Sequence, residues 1–283
     1  MERVHLIVDL AKCVGCFNCL MACKDEHVDN CWLPYTDKQM KHDEKWIDPI
    51  RHERGKAPYT DVCFVPKMCQ HCEEAYCQKA QPDAVIRRDD GIVLLDPAKA
   101  QGNRALVDAC PYGMISWNSE LGTAQKCTMC AHLLDSGWKE PRCVQACPLR
   151  ALSIVKCEDA DFEQMVINQD LKPLSNGANK PLVLYKNLEK YTTNFISGAL
   201  AYEEDGIEKA AEGATVALRL GDTLLKEVET DFFGEFKFDH IPPNTGNFRI
   251  ECNLPGYAPL TAEVTMENES VCLEVMHFQA GAR

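Results

Sequence analysis

The sequence predicts an α+β chain in two parts, a cysteine-rich α+β domain followed by a small all-β sandwich. Three observations support this prediction. Fifteen of the 17 cysteines precede residue 158. From Phe195 onward the chain carries 16 acidic and 6 basic residues, whereas the part before it is nearly balanced, and such a shift marks a domain boundary. After about Gly198, apolar and polar residues alternate as they do in half-buried strands.

Composition excludes several classes of protein. The chain has 283 residues, of which 46% are hydrophobic, so it can bury a substantial core. Its net charge of -13 argues against a nucleic-acid partner. The opening "MERVHLIVDLAKC" lacks the apolar segment of a signal peptide, and no stretch is apolar over the length that spans a bilayer. We therefore expect a cytoplasmic protein without direct membrane insertion, with export alongside a partner left open.

The first cysteine run has the spacing of a bacterial ferredoxin. In "CVGCFNCLMAC" the thiols follow the pattern C-x2-C-x2-C-x3-C, in which three cysteines hold one [4Fe-4S] cluster and the fourth serves a second cluster. Zinc uses paired C-x2-C hooks and needs no third cysteine at the same interval. An odd cysteine count and two-residue gaps also favour metal over disulfides.

A second run supplies the crossed ligands. "CTMC" and "CVQACP" contain four cysteines, with a twelve-residue insert between the second and the third. Exchanging the fourth ligands between runs predicts two clusters. Cluster one takes Cys13, Cys16, Cys19 and Cys147, and cluster two takes Cys127, Cys130, Cys143 and Cys23.

The third run has three cysteines of its own and lacks the fourth. "CQHCEEAYC" places three cysteines as C-x2-C-x4-C, but Gln81 stands where a fourth would precede Pro82. Conversely, Cys110 before Pro111 has no cysteine run ahead of it, so we expect it to complete the third set. Cluster three is then Cys69, Cys72, Cys77 and Cys110, and a fourth cluster has lost all its ligands. No role is predicted for the remaining cysteines, which are Cys31, Cys63, Cys157, Cys252 and Cys272.

Other side chains near the runs have two interpretations each. Cations that abut the ligands in sequence either raise the potential of anionic clusters or are solvated loop charges; they are Lys12, Lys24, Lys67, Lys126, Arg142 and Arg150. His71, inside "CQHC", either tunes cluster three or packs. The aromatic residues Trp32, Tyr35, Trp46 and Tyr59 either anchor a partner or cover the core. No catalytic residue is predicted on this chain, because it lacks a nucleophile or phosphate-binding motif.

The remaining elements follow in order. "VHLIVDL" predicts a strand, "CFNCLMACKDEH" a helix, and "AVIRRDDGIVLLD" a hairpin around a Asp-Asp-Gly turn. "GMISWN" and "RALSIVK" predict strands after Cys110 and Cys147, so each cluster pair is expected on a ferredoxin-like fold. We predict a ferredoxin-like domain over residues 1–157, an extended connector over 158–197 and the sandwich over 198–283, with six or seven short strands.

The cysteine runs resemble those of a known family. Paired ferredoxin-like runs with the insert "CTMCAHLLDSGWKEPRCVQACPLRAL" look like the electron-transfer subunits of the molybdopterin oxidoreductase superfamily, which includes dimethyl sulfoxide reductase and nitrate reductase. Within that group, the chain resembles the small subunits of pyrogallol-phloroglucinol transhydroxylases. The stretches that carry this resemblance are "VDLAKCVGCFNCLMACKDEH", "DDGIVLLDPAKA", "CPYGMISWN", "AQKCTMCAHLLD", "YKNLEKY" and "TDFFGEFKFD".

The resemblance implies a partner and cofactors. It implies a large catalytic subunit carrying molybdopterin guanine dinucleotide with Mo or W, three [4Fe-4S] clusters on this chain, and a soluble heterodimer with possible higher-order assembly. The reaction of the complex would be the conversion of pyrogallol to phloroglucinol by hydroxyl transfer. A reductive aromatic (catechol-type) dehydroxylase and a free-standing polyferredoxin remain as alternatives. The tail run "TDFFGEFKFDHIPP" followed by "PGYAPL" is similar to carboxypeptidase-regulatory-like, transthyretin-like domains, which have an immunoglobulin-like sandwich.

Overall fold

The chain folds into two compact units. A computed structural model describes residues 2–175 and 179–280. The first unit contains Met1–Arg51 and Cys63–Leu188, and the second contains His52–Val62 and Glu189–Arg283. The division therefore differs from the predicted boundaries at residues 157 and 197. Residues 176–178 of the predicted connector and 281–283 of the predicted sandwich lie outside the described residues.

Short strands and helices alternate in the first unit. Its strands are β1 (Arg3–Asp9), β2 (Ile47–Lys56) and β3 (Tyr59–Met68), whose distal ends belong to the second unit, β4 (Val85–Arg87), β5 (Val93–Leu95), β6 (Ile115–Asn118), β7 (Thr123–Lys126), β8 (Leu152–Cys157) and β9 (Val183–Lys186). Its helices are α1 (Asn18–His27), α2 (Tyr76–Ala80), α3 (Pro97–Ala100), α4 (Ala105–Asp108), α5 (Ala131–Asp135), α6 (Arg142–Gln145) and α7 (Asp159–Gln169), with a 3-10 turn at Pro82–Ala84. In the part of the chain that the structure describes, no helix is long and apolar enough to cross a membrane.

A three-stranded sheet in the order β8-β1-β9 pairs the first strand of this unit with its last two strands. Strand β1 pairs antiparallel with β8, with Val8 opposite Leu152. It also pairs parallel with β9, with Leu6 opposite Val183. Residues 4–8 of β1 are all buried, so this strand forms a continuous buried run rather than an alternating one.

The segment predicted as an extended connector is partly regular. It contains α7 and β9, and β9 is hydrogen-bonded into the first unit's sheet. Helix α7 buries Phe162 in a small core with Ile7, Leu171 and Leu184. The apolar run "LVLY" is short enough to suit a strand, but its parallel partner lies far away in sequence, and local pattern cannot identify such a pairing.

A second small core supports the middle of the first unit. Two hairpins, β4-β5 and β6-β7, contribute to it. The predicted hairpin in "AVIRRDDGIVLLD" is β4-β5, with Val85 opposite Leu95. The core comprises Ala84, Val85, Val93, Leu95, Ala100, Leu106, Ile115 and Ala124, and Cys77 and Cys110 pack against it. Cys77 and Cys110, which are far apart in sequence, therefore pack against the same apolar core.

The second unit is built from two β-sheets. Its elements are α8 (Glu189–Thr192), β10 (Asn194–Glu204), β11 (Ile207–Ala210), β12 (Thr215–Leu220), β13 (Thr223–Glu229), β14 (Glu235–Ile241), β15 (Gly246–Asn253), β16 (Leu260–Met266), β17 (Val271–Cys272) and β18 (Met276–Phe278). One sheet has the order β11-β10-β14, with β17 and β18 also pairing with β10, and the other has the order β13-β12-β15-β16. The alternating segments in the sequence correspond to β12–β18, but β10, which begins inside the predicted connector, and β11 were not predicted, so the described residues of this unit contain nine strands rather than six or seven.

One hydrophobic core joins the two sheets. It includes Ile196 and Phe238 from the first sheet and Val216, Phe248 and Ile250 from the second. At the turn before β14, Gly234 has φ +76°, and a Cβ there would lie 2.3 Å from the Leu200 carbonyl oxygen. Only glycine fits this turn without moving the backbone of β10.

A buried arginine links the hairpin tip to the sheet within the second unit. Arg54 in β2 is buried and donates to Asp61 at 2.5 Å and to Asp239 at 3.1 Å. Lys237 lies 3.0 Å from each of the same two carboxylates. These partners hold the pKa of Asp239 at about 2 despite its partial burial, which by itself would raise that pKa. Removal of Arg54 would leave two carboxylates sharing one lysine.

We therefore expect Arg54→Met to destabilise the second unit by about 2 kcal/mol, less than the roughly 3–5 kcal/mol seen when fully buried pairs are broken, because both carboxylates are about a quarter exposed. Hydrogen–deuterium exchange of the full chain should show faster exchange in β10 and β14. Arg219→Met, which breaks the pair with Glu251, is the matched control and should have a much smaller effect, because Arg219 is 29% exposed whereas Arg54 is buried. Equal effects of the two substitutions would contradict the assignment.

Candidate functional site

The pairing of β1 with β8 brings two distant cysteine loops together. Strand β1 ends at Asp9 shortly before Cys13, and β8 begins at Leu152 shortly after Cys147. Since the two strands are antiparallel, both loops emerge at the same end of the sheet. There Cys13, Cys16, Cys19 and Cys147 line one cavity of about 390 Å³. These four residues are called the first thiol group.

The loop of the first group depends on left-handed backbone. Gly15 has φ +65° and Phe17, the residue before α1, has φ 60°. A Cβ at Gly15 would lie 2.4 Å from the ring of Phe64, so the loop can follow this course only with glycine at that position. The turn lets Cys13 and Cys16 face one centre from a stretch of four residues.

The second thiol group comprises Cys23, Cys127, Cys130 and Cys143. All four line another cavity, of about 430 Å³. Cys19 and Cys23 lie on the same face of α1, one turn apart along the helix. Because α1 packs on α6, Cys23 lines this second cavity, whereas Cys19 lines the first. The crossing of ligands between runs is thus a consequence of the helical period.

The third thiol group comprises Cys69, Cys72, Cys77 and Cys110. Burial, together with the neighbouring thiols of Cys69, Cys110 and Cys77, raises the pKa of Cys72 to about 12. Asn179 donates its amide to Cys72 Sγ at 2.7 Å. Nothing in the sequence pattern pointed to Asn179, because it lies more than 100 residues away from the thiol that it contacts.

The three groups lie in the order first, second, third. Burial raises the pKa of Cys143, a second-group thiol, well above its usual range, and its neighbours include Cys19 of the first group. Burial likewise raises the pKa of Cys127 to about 11, with Cys69 of the third group as the next cause. The geometry agrees, because α1 carries Cys19 and Cys23 one turn apart and His71 of the third loop lines the second cavity, so the second group adjoins both of the others.

Backbone donors surround the thiols. Met129 N lies 3.3 Å from Cys127 Sγ, Met114 N lies 3.4 Å from Cys110 Sγ, and Ala151 N lies 3.2 Å from Cys147 Sγ. Four thiolates are the ligand set of a [4Fe-4S] cluster, and N–H donors to sulfur raise its potential. The donor chemistry of each group therefore fits such a cluster.

One buried cation lies beside the second and third groups. Lys126 is 3% exposed, and its ammonium donates to the carbonyl oxygens of Val93 and, at 3.1 Å, Cys127. Among residues 2–175 and 179–280, no carboxylate lies within ion-pair distance of it. Burial raises the pKa of both Cys77 and Cys110, and the positive charge of Lys126 opposes that rise. Of the other cations near the runs, Arg142 forms a partly buried ion pair with Glu26, and Arg150 forms an exposed one with Glu140.

Aromatic and histidine side chains close the second cavity. Trp46, His27 and His71 line it. Trp46 is buried and donates to Glu44 Oε1 at 2.7 Å, and His27 Nε2 lies 3.9 Å from Cys130 Sγ. Burial lowers the pKa of His27 to about 3. Trp46 is therefore a core residue, which was one of its two interpretations from the sequence. Trp32 likewise stacks on His132, with ring centroids 4.3 Å apart.

Gln81 occupies the position where a fourth cluster would have taken a ligand. It follows α2, and its Oε1 accepts a hydrogen bond from Asn103 Nδ2 at 3.1 Å. Asn103 lies in the loop ahead of Cys110, where cysteines of a further run would have stood. A direct amide–amide contact therefore joins the two segments that a fourth cluster would bridge.

The five cysteines without a predicted role lie apart from these groups. Cys63 and Cys252 are buried, Cys31 is exposed, and Cys157 and Cys272 are partly buried. In the described ranges, no cluster of three or more His, Cys, Asp or Glu is arranged to hold a single metal ion. The thiolates around a four-iron cluster lie farther apart than the ligands of one ion, so the three thiol groups in the described ranges do not form mononuclear metal sites.

Comparison with known proteins identifies the family. Residues 60–157 match the model of the 4Fe-4S dicluster domain. The chain is 39% identical to the pyrogallol hydroxytransferase small subunit of Pelobacter acidigallici, over 96% of this chain and 98% of that one. It is 33% identical to a probable anaerobic dimethyl sulfoxide reductase chain of Escherichia coli, over 70% and 96% of the respective chains. The arsenate respiratory reductase iron-sulfur subunit of Shewanella is 28% identical over 60% and 87%.

Solved structures add little. A minor pilin of Streptococcus agalactiae is 14% identical, covers 36% of this chain and 50% of its own, and has a TM-score of 0.27, too low to support any conclusion. The sequence relatives are decisive, because a match over 96% of the chain must include most of both units. The chain belongs to the family of pyrogallol hydroxytransferase small subunits, within the iron-sulfur electron-transfer subunits of the dimethyl sulfoxide reductase superfamily.

Proposed function

We propose that this chain carries electrons through three [4Fe-4S] clusters to or from a large catalytic subunit that holds molybdopterin guanine dinucleotide with Mo or W. The observation that supports this proposal is the adjacency of the three four-thiol groups, because the second group shares helix α1 with the first and its cavity is lined by His71 from the loop of the third. Cluster one uses Cys13, Cys16, Cys19 and Cys147; cluster two uses Cys127, Cys130, Cys143 and Cys23; cluster three uses Cys69, Cys72, Cys77 and Cys110. When bound, each cluster supplies a one-electron carrier.

The protein's own contribution is to bury and poise the carriers. The thiols of the second group are enclosed, which excludes water and keeps neighbouring charges effective. Backbone N–H groups and Lys126 offset the negative charge of thiolate-bound clusters. The chain thereby sets spacing and potential, while substrate chemistry belongs to the partner.

The end of the row at the first thiol group is the proposed docking face for the large subunit. Cys16 is exposed there, and its cavity is rimmed by the exposed apolar side chains of Val14 and Leu149, with Met21 nearby on α1. Exposed apolar residues of this kind are typical of a protein interface. Electrons would pass at this face by the shortest route from a cluster to the partner.

The substrate follows from the relative rather than from this chain. The name of the Pelobacter protein specifies hydroxyl transfer with pyrogallol, and we propose the same substrate class, polyhydroxylated aromatics, for the complex formed by this chain. The reaction from pyrogallol to phloroglucinol has no net redox change, so the clusters would poise the metal rather than deliver electrons in each turnover.

The second unit is proposed to be a transthyretin-like, immunoglobulin-like sandwich. Two antiparallel-rich sheets around one core support this classification, together with the run "TDFFGEFKFD". Its proposed role is structural, either against the large subunit or between heterodimers. The complex is proposed to be a cytoplasmic heterodimer without its own membrane anchor.

Turnover of the purified two-chain complex with pyrogallol should proceed without stoichiometric reductant. Chromatographic detection of phloroglucinol, with and without dithionite-reduced viologen, measures this. Turnover that consumes reductant in proportion to product would instead favour a reductive dehydroxylase. Purification without any pterin-containing chain would favour a free-standing polyferredoxin.

Gly15→Ala should remove cluster one selectively. The added Cβ would meet the Phe64 ring in a left-handed turn, so Cys13 and Cys16 cannot keep their positions. We expect iron to fall from about twelve to about eight per chain. Gly102→Ala, at φ +71° with open space around it, is the matched control and should retain full iron. Equal iron in the two variants would refute the loop argument.

Gln81→Cys should not add a fourth cluster. Three further ligands are missing, and the substitution only breaks the hydrogen bond with Asn103, at a cost of roughly 0.5–1.5 kcal/mol. Iron analysis and electron paramagnetic resonance of the reduced variant should match the parent, apart from a small loss of thermal stability. A rise towards sixteen irons per chain would disprove the three-cluster count.

A further inference from the structure

His71 belongs to one thiol group by sequence and to another by position. It lies between Cys69 and Cys72 in the loop of the third group, and its backbone has φ 45°. Its side chain is almost completely buried and lines the cavity of the second group, together with Cys23, Cys127 and Cys130. The ring therefore borders the second group, although its loop carries ligands of the third.

Hydrogen bonding sets the tautomer of this ring. The amide of Val93 donates to His71 Nδ1 at 3.2 Å, so Nδ1 is an acceptor and the ring proton resides on Nε2. The carbonyl of the same residue accepts from the Lys126 ammonium. Val93 thus holds His71 through its N–H and Lys126 through its C=O, and both side chains are fixed by one strand residue.

The ring leaves one donor without a partner. His71 Nε2 is buried, and no acceptor among residues 2–175 and 179–280 lies within hydrogen-bond reach of it. Buried N–H groups in native proteins almost always have a partner, because an unmade hydrogen bond costs the full desolvation of the group. The cavity that Nε2 borders is lined by four thiols, and its other lining residues are mostly apolar.

We propose that His71 donates its Nε2–H to a sulfur of cluster two, so that a residue on the loop of cluster three sets the potential of cluster two. This inference rests on the cluster assignment of the proposed function. An N–H donor to a cluster sulfur stabilises the more negative, reduced state and raises the potential. His71 is a positioning and tuning residue; it is not a ligand.

The shared anchor at Val93 gives the arrangement a second consequence. Lys126, on the other side of Val93, places its charge near Cys77 and Cys110 of the third group. Clusters two and three are therefore poised by side chains that one short strand, β5, holds in register. A shift of β5 would change both potentials together.

The test compares two substitutions of the same residue. His71→Asn keeps an acceptor near the Nδ1 position for Val93 N and tolerates the positive φ, but it is too short to reach the position of Nε2. His71→Gln is long enough to restore a donor there. In redox titrations of the complex followed by electron paramagnetic resonance, His71→Asn should lower the potential of cluster two and leave cluster one unchanged.

We expect His71→Asn to change the ratio of reduced to oxidised cluster two about tenfold at a fixed ambient potential. This change corresponds to a shift of about 59 mV for a one-electron couple. His71→Gln should recover part of this shift. His5→Asn is the control, because His5 is also a buried histidine of the first unit but stacks on Phe162 and lines no thiol cavity. It should leave all three potentials unchanged.

A measurement on the parent protein covers the case in which His71→Asn fails to assemble. With ¹⁵N-histidine labelling, pulsed electron paramagnetic resonance of reduced cluster two should detect a weak nitrogen coupling that persists in His27→Asn, a variant that removes the other histidine ring of this cavity. Absence of that coupling, or an unchanged potential in a fully loaded His71→Asn variant, would overturn the hydrogen bond to cluster two. Failure of the proposed function itself is distinguishable, because the parent complex would then contain far fewer than about twelve irons per chain.

Discussion

The antiparallel pairing of β1 with β8 is the constraint on which the thiol row depends. It joins the start of the chain to residues near 155 and places the first and last cysteine loops at one end of a sheet. Once the loops meet, α1 packs on α6, and the one-turn offset between Cys19 and Cys23 assigns them to different groups. A single long-range pairing thus converts two sequence repeats into two interlocked ligand sets.

Burial of so many thiols has an electrostatic cost that shapes the surrounding residues. Without a metal, burial raises the pKa of several thiols to about 11 or 12, so the protonated form predominates at neutral pH. Metal binding must displace those protons, which couples assembly of the site to the metal. The buried ammonium of Lys126 is balanced only if negative charge resides beside it, since an unpaired buried charge is strongly destabilising. The polypeptide is therefore organised for anionic centres.

The two units solve different problems. The first unit has small, separate cores and relies on cavities lined by thiols, whereas the second has one continuous core between two sheets. The second unit carries the acidic excess of the tail, and none of the three thiol groups lies in its described residues. Its internal ion network around Arg54 holds the hairpin tip to β14 and is independent of the thiol groups.

The sequence by itself determined the membership of the thiol sets that we propose as ligands, because cluster loops are local and their spacing is dictated by covalent reach. It also determined the family, the β-rich tail and the hairpin in "AVIRRDDGIVLLD". The dicluster ferredoxin-like character is confirmed by the family match. Tertiary structure decided what depends on residues distant in sequence: the parallel addition of β9 to β1, the unit boundary after Leu188, and the contact of Gln81 with Asn103. It also decided the surroundings of His71, which sequence position assigned to cluster three but whose ring lines the second cavity. Spacing predicts which residues share a loop, and only packing shows which neighbouring centre a side chain faces.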